Sequence, residues 1–342
     1  MRFFLYQIII VTVTFIGFEI FLKIKYSKMK NYSCYKTVEE TPYYTNGINC
    51  NEEIYYFEKK NPTLYATNHK GQRIGKNVNE KDKIEKLNKV FFIGDSFTFG
   101  HLSNYENSYP YNSIVELNKL IGDKKYKEIN MGVNGYQFRD NLNIIKKVLN
   151  KKLDSYIVYG LTPNDLFDLV KNNKNQNQNQ NKSNIDKIKK IVDDLNILSI
   201  KYLKFLILKN DKIYSFLHSN RGDKAGYVNS KSSLFWEEKY KIFYEEISTI
   251  PKELRKKVIF TIIPQQIQIK KIKINKVDDG LAFDNKILKI CEKIKIKCIS
   301  FTEELGNKFN FQTHFPLDGH LLPKVNKMYG NILGEHLYNI IH

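Results

Sequence analysis

Serine is a weak nucleophile at neutral pH unless a base stands beside it and a third group fixes the tautomer of that base. Ser96 lies in Lys89-Val-Phe-Phe-Ile-Gly-Asp-Ser-Phe-Thr-Phe-Gly100, where Val90 to Ile93 read as a buried strand and Gly94 allows a tight turn. Helix-like residues follow, so the hydroxyl would stand at a strand-to-helix turn near free backbone N–H groups. Gly-Asp-Ser can equally be a plain helix cap. The other two residue types come together near the end of the chain, in Leu317-Asp318-Gly319-His320. There His320 can take the Ser96 proton and Asp318 can hold the imidazole. His314, in a loop with Pro316, is an alternative base, while His336 reads as a partly packed or surface residue of the last helix.

Acyl chemistry at a serine also needs donors for a developing oxyanion. The Ser96 N–H, the Gly135 N–H in Met131-Gly-Val-Asn-Gly135-Tyr136 and the Asn164 side chain in Leu161-Thr-Pro-Asn164-Asp165 can supply them. Gly132 is an alternative to Gly135. Gly135 is also readable as a turn glycine, and Asn164 as a helix cap.

The elements that must position these groups follow from the apolar pattern. Strands are expected at 90–93, 128–131, 155–160, 257–264 and 297–301, and helices at 108–120, 139–151, 235–250, 281–295 and 324–341. Strand and helix alternate, which argues a parallel sheet with right-handed crossovers. The Asn/Gln/Lys tract at 172–182 breaks the pattern and has almost nothing to bury, so it reads as a solvated or disordered insertion. An amphipathic helix is expected at 185–209, with irregular chain at 213–233.

Phe3 to Leu22 is apolar apart from Gln7, Glu19 and a few small or hydroxylated residues, about the length of a membrane span. The first alanine is Ala66, so no small-residue cleavage site follows, and an uncleaved anchor is expected. Four lysines follow the span. Taken literally they would keep the domain cytoplasmic, but lysine is dense throughout, and those four carry little information. The expected organisation is an anchor at 1–24, a polar, Tyr-rich lead-in at 25–88 packed on the domain, and the domain itself at 89–342.

The 342 residues are 42% hydrophobic and 13% aromatic, ample for a large core. The charge of +19 is spread over helices and linkers and forms no arm or nucleic-acid module, so no specific nucleic-acid partner is expected. Cys34, Cys50, Cys291 and Cys298 permit disulfides but show neither a zinc pattern nor Cys-x-x-Cys, so no metal is expected.

With Gly-Asp-Ser96, Asn-Gly135, Asn164-Asp165 and Asp318-Gly-His320 in this order, the stretch from Tyr65 to His342 resembles the SGNH (GDSL-like) esterases. The shorter Asp-x-His spacing is similar to that of alginate O-acetylation relatives. The resemblance implies a flavodoxin-like three-layer α/β/α domain with a five-stranded parallel sheet. It also implies catalytic Ser96, Asp318 and His320, an oxyanion hole of Ser96, Gly135 and Asn164, and no cofactor. Membrane-anchored members usually face away from the cytoplasm. The implied substrate is an O-acyl, especially O-acetyl, ester on a carbohydrate. An O-acyltransferase using the same residues with a glycan hydroxyl acceptor, and a non-catalytic glycan-binding protein on this fold, are the alternatives.

Overall fold

The structure is a computed structural model that describes residues 2–29, 32–38, 44–75, 87–151, 155–169, 198–210, 213, 234–309 and 312–341. The low-complexity insertion at 172–182, the first part of the helix expected at 185–209, and nearly all of the irregular stretch at 213–233 lie outside the described residues.

The chain begins with helix α1 (Arg2–Lys25), which is almost wholly exposed, and its segment Tyr6–Lys25 has the length and apolarity to cross a membrane, at a mean hydropathy of 1.9. The lead-in forms a two-stranded hairpin, β1 (Tyr35–Thr37) and β2 (Tyr44–Asn46), and then β3 (Asn51–Ile54), β4 (Thr63–Thr67) and β5 (Arg73–Ile74). From there the order is β6 (Asn88–Gly94), α2 (Ser96–Phe99), α3 (Tyr109–Ile121), β7 (Tyr126–Asn130), α4 (Phe138–Asn150) and β8 (Tyr156–Leu161). Helices α5 (Leu198–Leu208) and α6 (Leu234–Ser248) precede β9 (Val258–Ile262), α7 (Gln266–Lys273), α8 (Val277–Ile294), β10 (Lys297–Ser300), α9 (Thr302–Lys308) and α10 (Pro323–Ile341).

The sheet runs β10-β9-β8-β6-β7-β5-β4-β3. The first five of these strands are mutually parallel. They are the expected five, in the order 5-4-3-1-2 of a flavodoxin-like sheet. The lead-in adds three antiparallel strands at one edge, joined through the single pairing of Arg73 with Asn130. Among the described residues the sheet therefore has eight strands.

Because side chains alternate along a strand, β6 feeds both faces of the sheet. Phe91 and Ile93 pack with α4, α6 and α8, whereas Val90 and Phe92 pack with α3, α7, α9 and α10. This gives three layers. Strand β6 is covered on both sides, which is why its sequence is a continuous apolar run. The four cysteines form two disulfides, Cys34–Cys50 in the lead-in and Cys291–Cys298 between α8 and β10.

Candidate active site

Strand order reverses at β6, flanked by β7 and β8, and in open α/β sheets the crevice at such a point, beyond the carboxyl ends of the strands, is where ligands bind. Ser96 follows β6 and Asn164 follows β8, so both lie at that crevice. Gly94 is required by close approach, since a Cβ there would overlap the Thr98 hydroxyl and press on the Gly160 carbonyl.

The Ser96 Oγ lies 2.6 Å from His320 Nε2, and His320 Nδ1 is hydrogen-bonded to Asp318 Oδ1. Both members come from the loop before α10, where Gly319 at φ +87° turns the chain. The Phe97 ring packs on His320 at 4.5 Å between centroids and limits its rotation. Burial pushes the Asp318 carboxyl up, but His320, bonded to it, holds it below its ordinary value.

The Ser96 and Gly135 N–H groups make no hydrogen bond among the described residues. Gly135 sits at φ +83°, and a Cβ there would overlap the Tyr44 hydroxyl. The Gly132 N–H is already given to Asn130 Oδ1 at 2.9 Å, which removes Gly132 as an alternative donor. Asn164 is held from both ends: its Nδ2 donates to Asp95 Oδ2 at 3.1 Å, and its Oδ1 accepts from Gln265 Nε2 at 2.7 Å. One Nδ2 hydrogen therefore remains beyond the bond to Asp95. Asp95 also accepts from the Phe97 N–H and, at 3.3 Å, from the Thr162 hydroxyl, and burial pushes its carboxyl up.

His314 is not placed to act as the base. It is fully buried, with Nδ1 against the Thr313 hydroxyl at 2.8 Å and Nε2 donating to the Pro264 carbonyl at 3.0 Å, and burial pushes it down to about 3. It props the segment from which Gln265 reaches Asn164. His336 packs its ring against Phe301 at 5.1 Å.

Several supporting residues carry no signal in the sequence. Glu58 accepts from the Leu317 and Asp318 N–H groups at 3.0 and 3.1 Å, and Tyr56 bonds to Asp318. Burial pushes Glu58 up to about 7. His101 Nε2 lies 3.7 Å from Asp318 Oδ2, while burial and the neighbouring His320 push His101 down to about 4. A neutral His101 adds no second charge to the Asp318–His320 pair. His101, Asp318 and His320 are also close enough together to hold a metal ion, yet Ser96 and Asp318 already engage both His320 nitrogens.

Arg73 is buried under the Ser96 turn and donates to the carbonyls of Phe99, Gly100, Leu64 and Ser103. Its guanidinium lies 4.4 Å from the Tyr65 ring centroid and 4.5 Å from that of Phe99. The hairpin braces the Gly135 turn in a similar way: Tyr44 donates to the Asn134 carbonyl and Asn46 to the Gly132 carbonyl, both at 2.9 Å.

No protein-family model and no curated protein matches the chain. Among solved structures it is similar to the acetyl xylan esterase AlAXEase, at 16% identity and a TM-score of 0.39 over 74% of this chain and 100% of that one. It is also similar to a lipolytic protein of the G-D-S-L family from Veillonella parvula DSM 2008, at 12% identity and 0.39 over 73% and 98%. Est24, a carbohydrate acetylesterase from Sinorhizobium meliloti, is similar at 10% identity and 0.40 over 74% and 99%.

Proposed function

We propose that the chain is a serine esterase in which Ser96 is the nucleophile, His320 the base and Asp318 the group that orients it. The observation that carries this reading is the unbroken relay from Ser96 Oγ through His320 to Asp318. Ser96 Oγ attacks the ester carbonyl carbon while its proton passes to His320 Nε2. The oxyanion is met by the Ser96 and Gly135 N–H groups and the spare Asn164 Nδ2 hydrogen. Collapse expels the alcohol, which takes the proton from His320 and leaves an acyl-serine. Water, deprotonated by the same imidazole, then releases the acid.

The O-acetyl carbohydrate substrate follows from the resemblance of the four motif blocks, and the alcohol side of such an ester is a sugar hydroxyl. The two disulfides support an extracytoplasmic domain, because such bonds persist in oxidising compartments. In that arrangement α1 is the anchor, and the lysines after it do not set the orientation.

A fluorophosphonate probe is expected to label Ser96 in the wild type. Ser96→Ala and His320→Ala should abolish labelling and chromogenic acetyl-ester hydrolysis, each by more than about 10³-fold, because residues acting as one unit fail together. Labelling at another residue refutes the assignment of Ser96, and none in a folded chain refutes the esterase and leaves a glycan-binding protein. Acyl groups diverted from water by an added glycan acceptor would identify a transferase.

A further inference from the structure

Helix α5 is an apolar surface outside the candidate site. Ile200, Leu203, Leu206 and Ile207 are exposed, Leu203 at 59% and Leu206 at 48%. They recur at steps of about three, so they share one face of the helix. No described residue covers that face. The helix is fixed to the last turns of α1: the Glu19 carboxylate accepts from the Leu198 and Ser199 N–H groups at 2.9 and 2.8 Å, and Phe18 meets Tyr202 edge-on at 5.9 Å. Glu19 thus has a stated partner, the N-terminus of α5, which accounts for a carboxylate within an apolar span.

We propose that α5 lies in the membrane–water boundary, with its exposed apolar face in lipid beside the C-terminal end of α1. The domain would then be seated on the bilayer and not merely tethered to it. At 11 residues α5 is roughly 16 Å long, about half of a ~30 Å hydrocarbon core, so it cannot cross. Its depth follows from its partner, because the turns of α1 that hold it run into Lys23 and Lys25, residues suited to the headgroup level. Lys204 and Lys209 are exposed on and just after α5, where long stems can lie on apolar surface while the amines reach anionic headgroups. Lipid is favoured over a second copy as the occupant because the exposed surface of α1, including Ile16, Ile20 and Ile24, adjoins this helix and itself requires lipid. The rings of Tyr202 and Phe205 pack on Phe57, and the next residue, Glu58, holds the Asp318 loop. The residue that packs on the seat and the residue that holds the Asp318 loop are therefore neighbours in the chain.

The proposal rests on α1 being embedded, and the test separates the two. Full-length protein is reconstituted into vesicles of neutral and anionic phospholipid and first floated on a density gradient. Leu203→Trp, and independently Leu206→Trp, are then compared with wild type, whose one tryptophan, Trp236, is buried and supplies a constant background. Lipids brominated near the headgroup end of the acyl chains are expected to quench the introduced tryptophan at least twofold in floated protein. Emission at the wavelength of water-exposed tryptophan, without quenching, overturns the proposal while leaving the anchor. Blue-shifted emission that bromine does not quench shows a protein partner such as a second copy, and also overturns it. Failure to float removes the anchor and the seat together.

Discussion

Gln265 provides a direct test of how the Asn164 amide is aimed. In the observed orientation Asn164 Nδ2 faces the Asp95 carboxylate at 3.1 Å and Oδ1 faces the Gln265 amide at 2.7 Å. A flipped amide would set oxygen against Asp95 and nitrogen against Gln265, losing both bonds. The bond to a charged group is worth about 1.5–3 kcal/mol and the neutral one about 1 kcal/mol. Of the two bonds to Asn164, Gln265→Leu removes the weaker, so the orientation survives and kcat should fall about tenfold or less, while the lost side-chain cap of α7 should lower the melting temperature. In Gln265→Glu a carboxylate faces Oδ1, which drives the flip, and protonation of Asp95, already favoured by burial, accommodates it. The oxyanion then loses one donor, which costs on the order of 10²- to 10³-fold in kcat with little change in KM. Asn164→Ala should match Gln265→Glu, and the double variant should be no slower than Asn164→Ala, because both remove the same contact. Hydrolysis of p-nitrophenyl acetate, with the melting temperature followed in parallel, reads all of these. A Gln265→Glu enzyme within about threefold of wild type, or a double variant whose losses multiply, refutes this account.

Glu58→Gln leaves an amide with one acceptor oxygen for two N–H groups, so the Asp318 loop should loosen and kcat fall on the order of 10-fold to 10²-fold, as measured by the same assay. Arg73→Met strips buried carbonyls of their donors and should cost about 3 kcal/mol in denaturant unfolding. Burial holds His101 at about 4 and His314 at about 3; the unfolded chain takes up both protons near 6.5, so the stability that these two neutral histidines contribute is whole above that pH. It falls with acidification by up to about 1.4 kcal/mol per pH unit for each histidine until its native value is reached. Relative to wild type, His314→Gln should remove one such slope, up to about 1.4 kcal/mol per pH unit between pH 6 and 4.5; an unchanged slope in denaturant titrations would show that His314 takes up a proton in the folded protein.

The residues of the relay were legible because each lies at the end of an element whose apolar run is visible in the sequence. Ser96 follows Val90 to Ile93, Asn164 follows the 155–160 run, and Asp318 and His320 precede a helix. The five parallel strands were legible for the same reason, since a strand covered on both faces must be apolar throughout. The antiparallel extension was not. Strands β3 to β5 are two to five residues long and mix Tyr, Thr, Glu and Arg, so neither period stands out. Helix α7 was missed too, because Gln-Ile-Gln-Ile-Lys-Lys alternates like a strand before it repeats like a helix. Gln265 and His314 carry no local signal at all, since their roles depend on Asn164 and Pro264, far away in the sequence.

The five parallel strands and their helices already close two cores without the lead-in, yet the lead-in touches three of the four turns of the candidate site. Arg73 and Tyr65 lie under the Ser96 turn, Tyr44 and Asn46 hold the Gly135 turn, and Glu58 and Tyr56 hold Asp318. Turns at the carboxyl ends of strands have few neighbours of their own, so polar groups on them need partners from elsewhere to stay in place. The same segment begins where α1 ends, with Tyr26 packed on Phe57 at 4.6 Å. Tyr26, Phe57 and Glu58 thus connect α1 to the Asp318 N–H through a continuous series of contacts. It follows that removing the lead-in should leave the fold of the parallel sheet less affected than the alignment of Ser96 with His320.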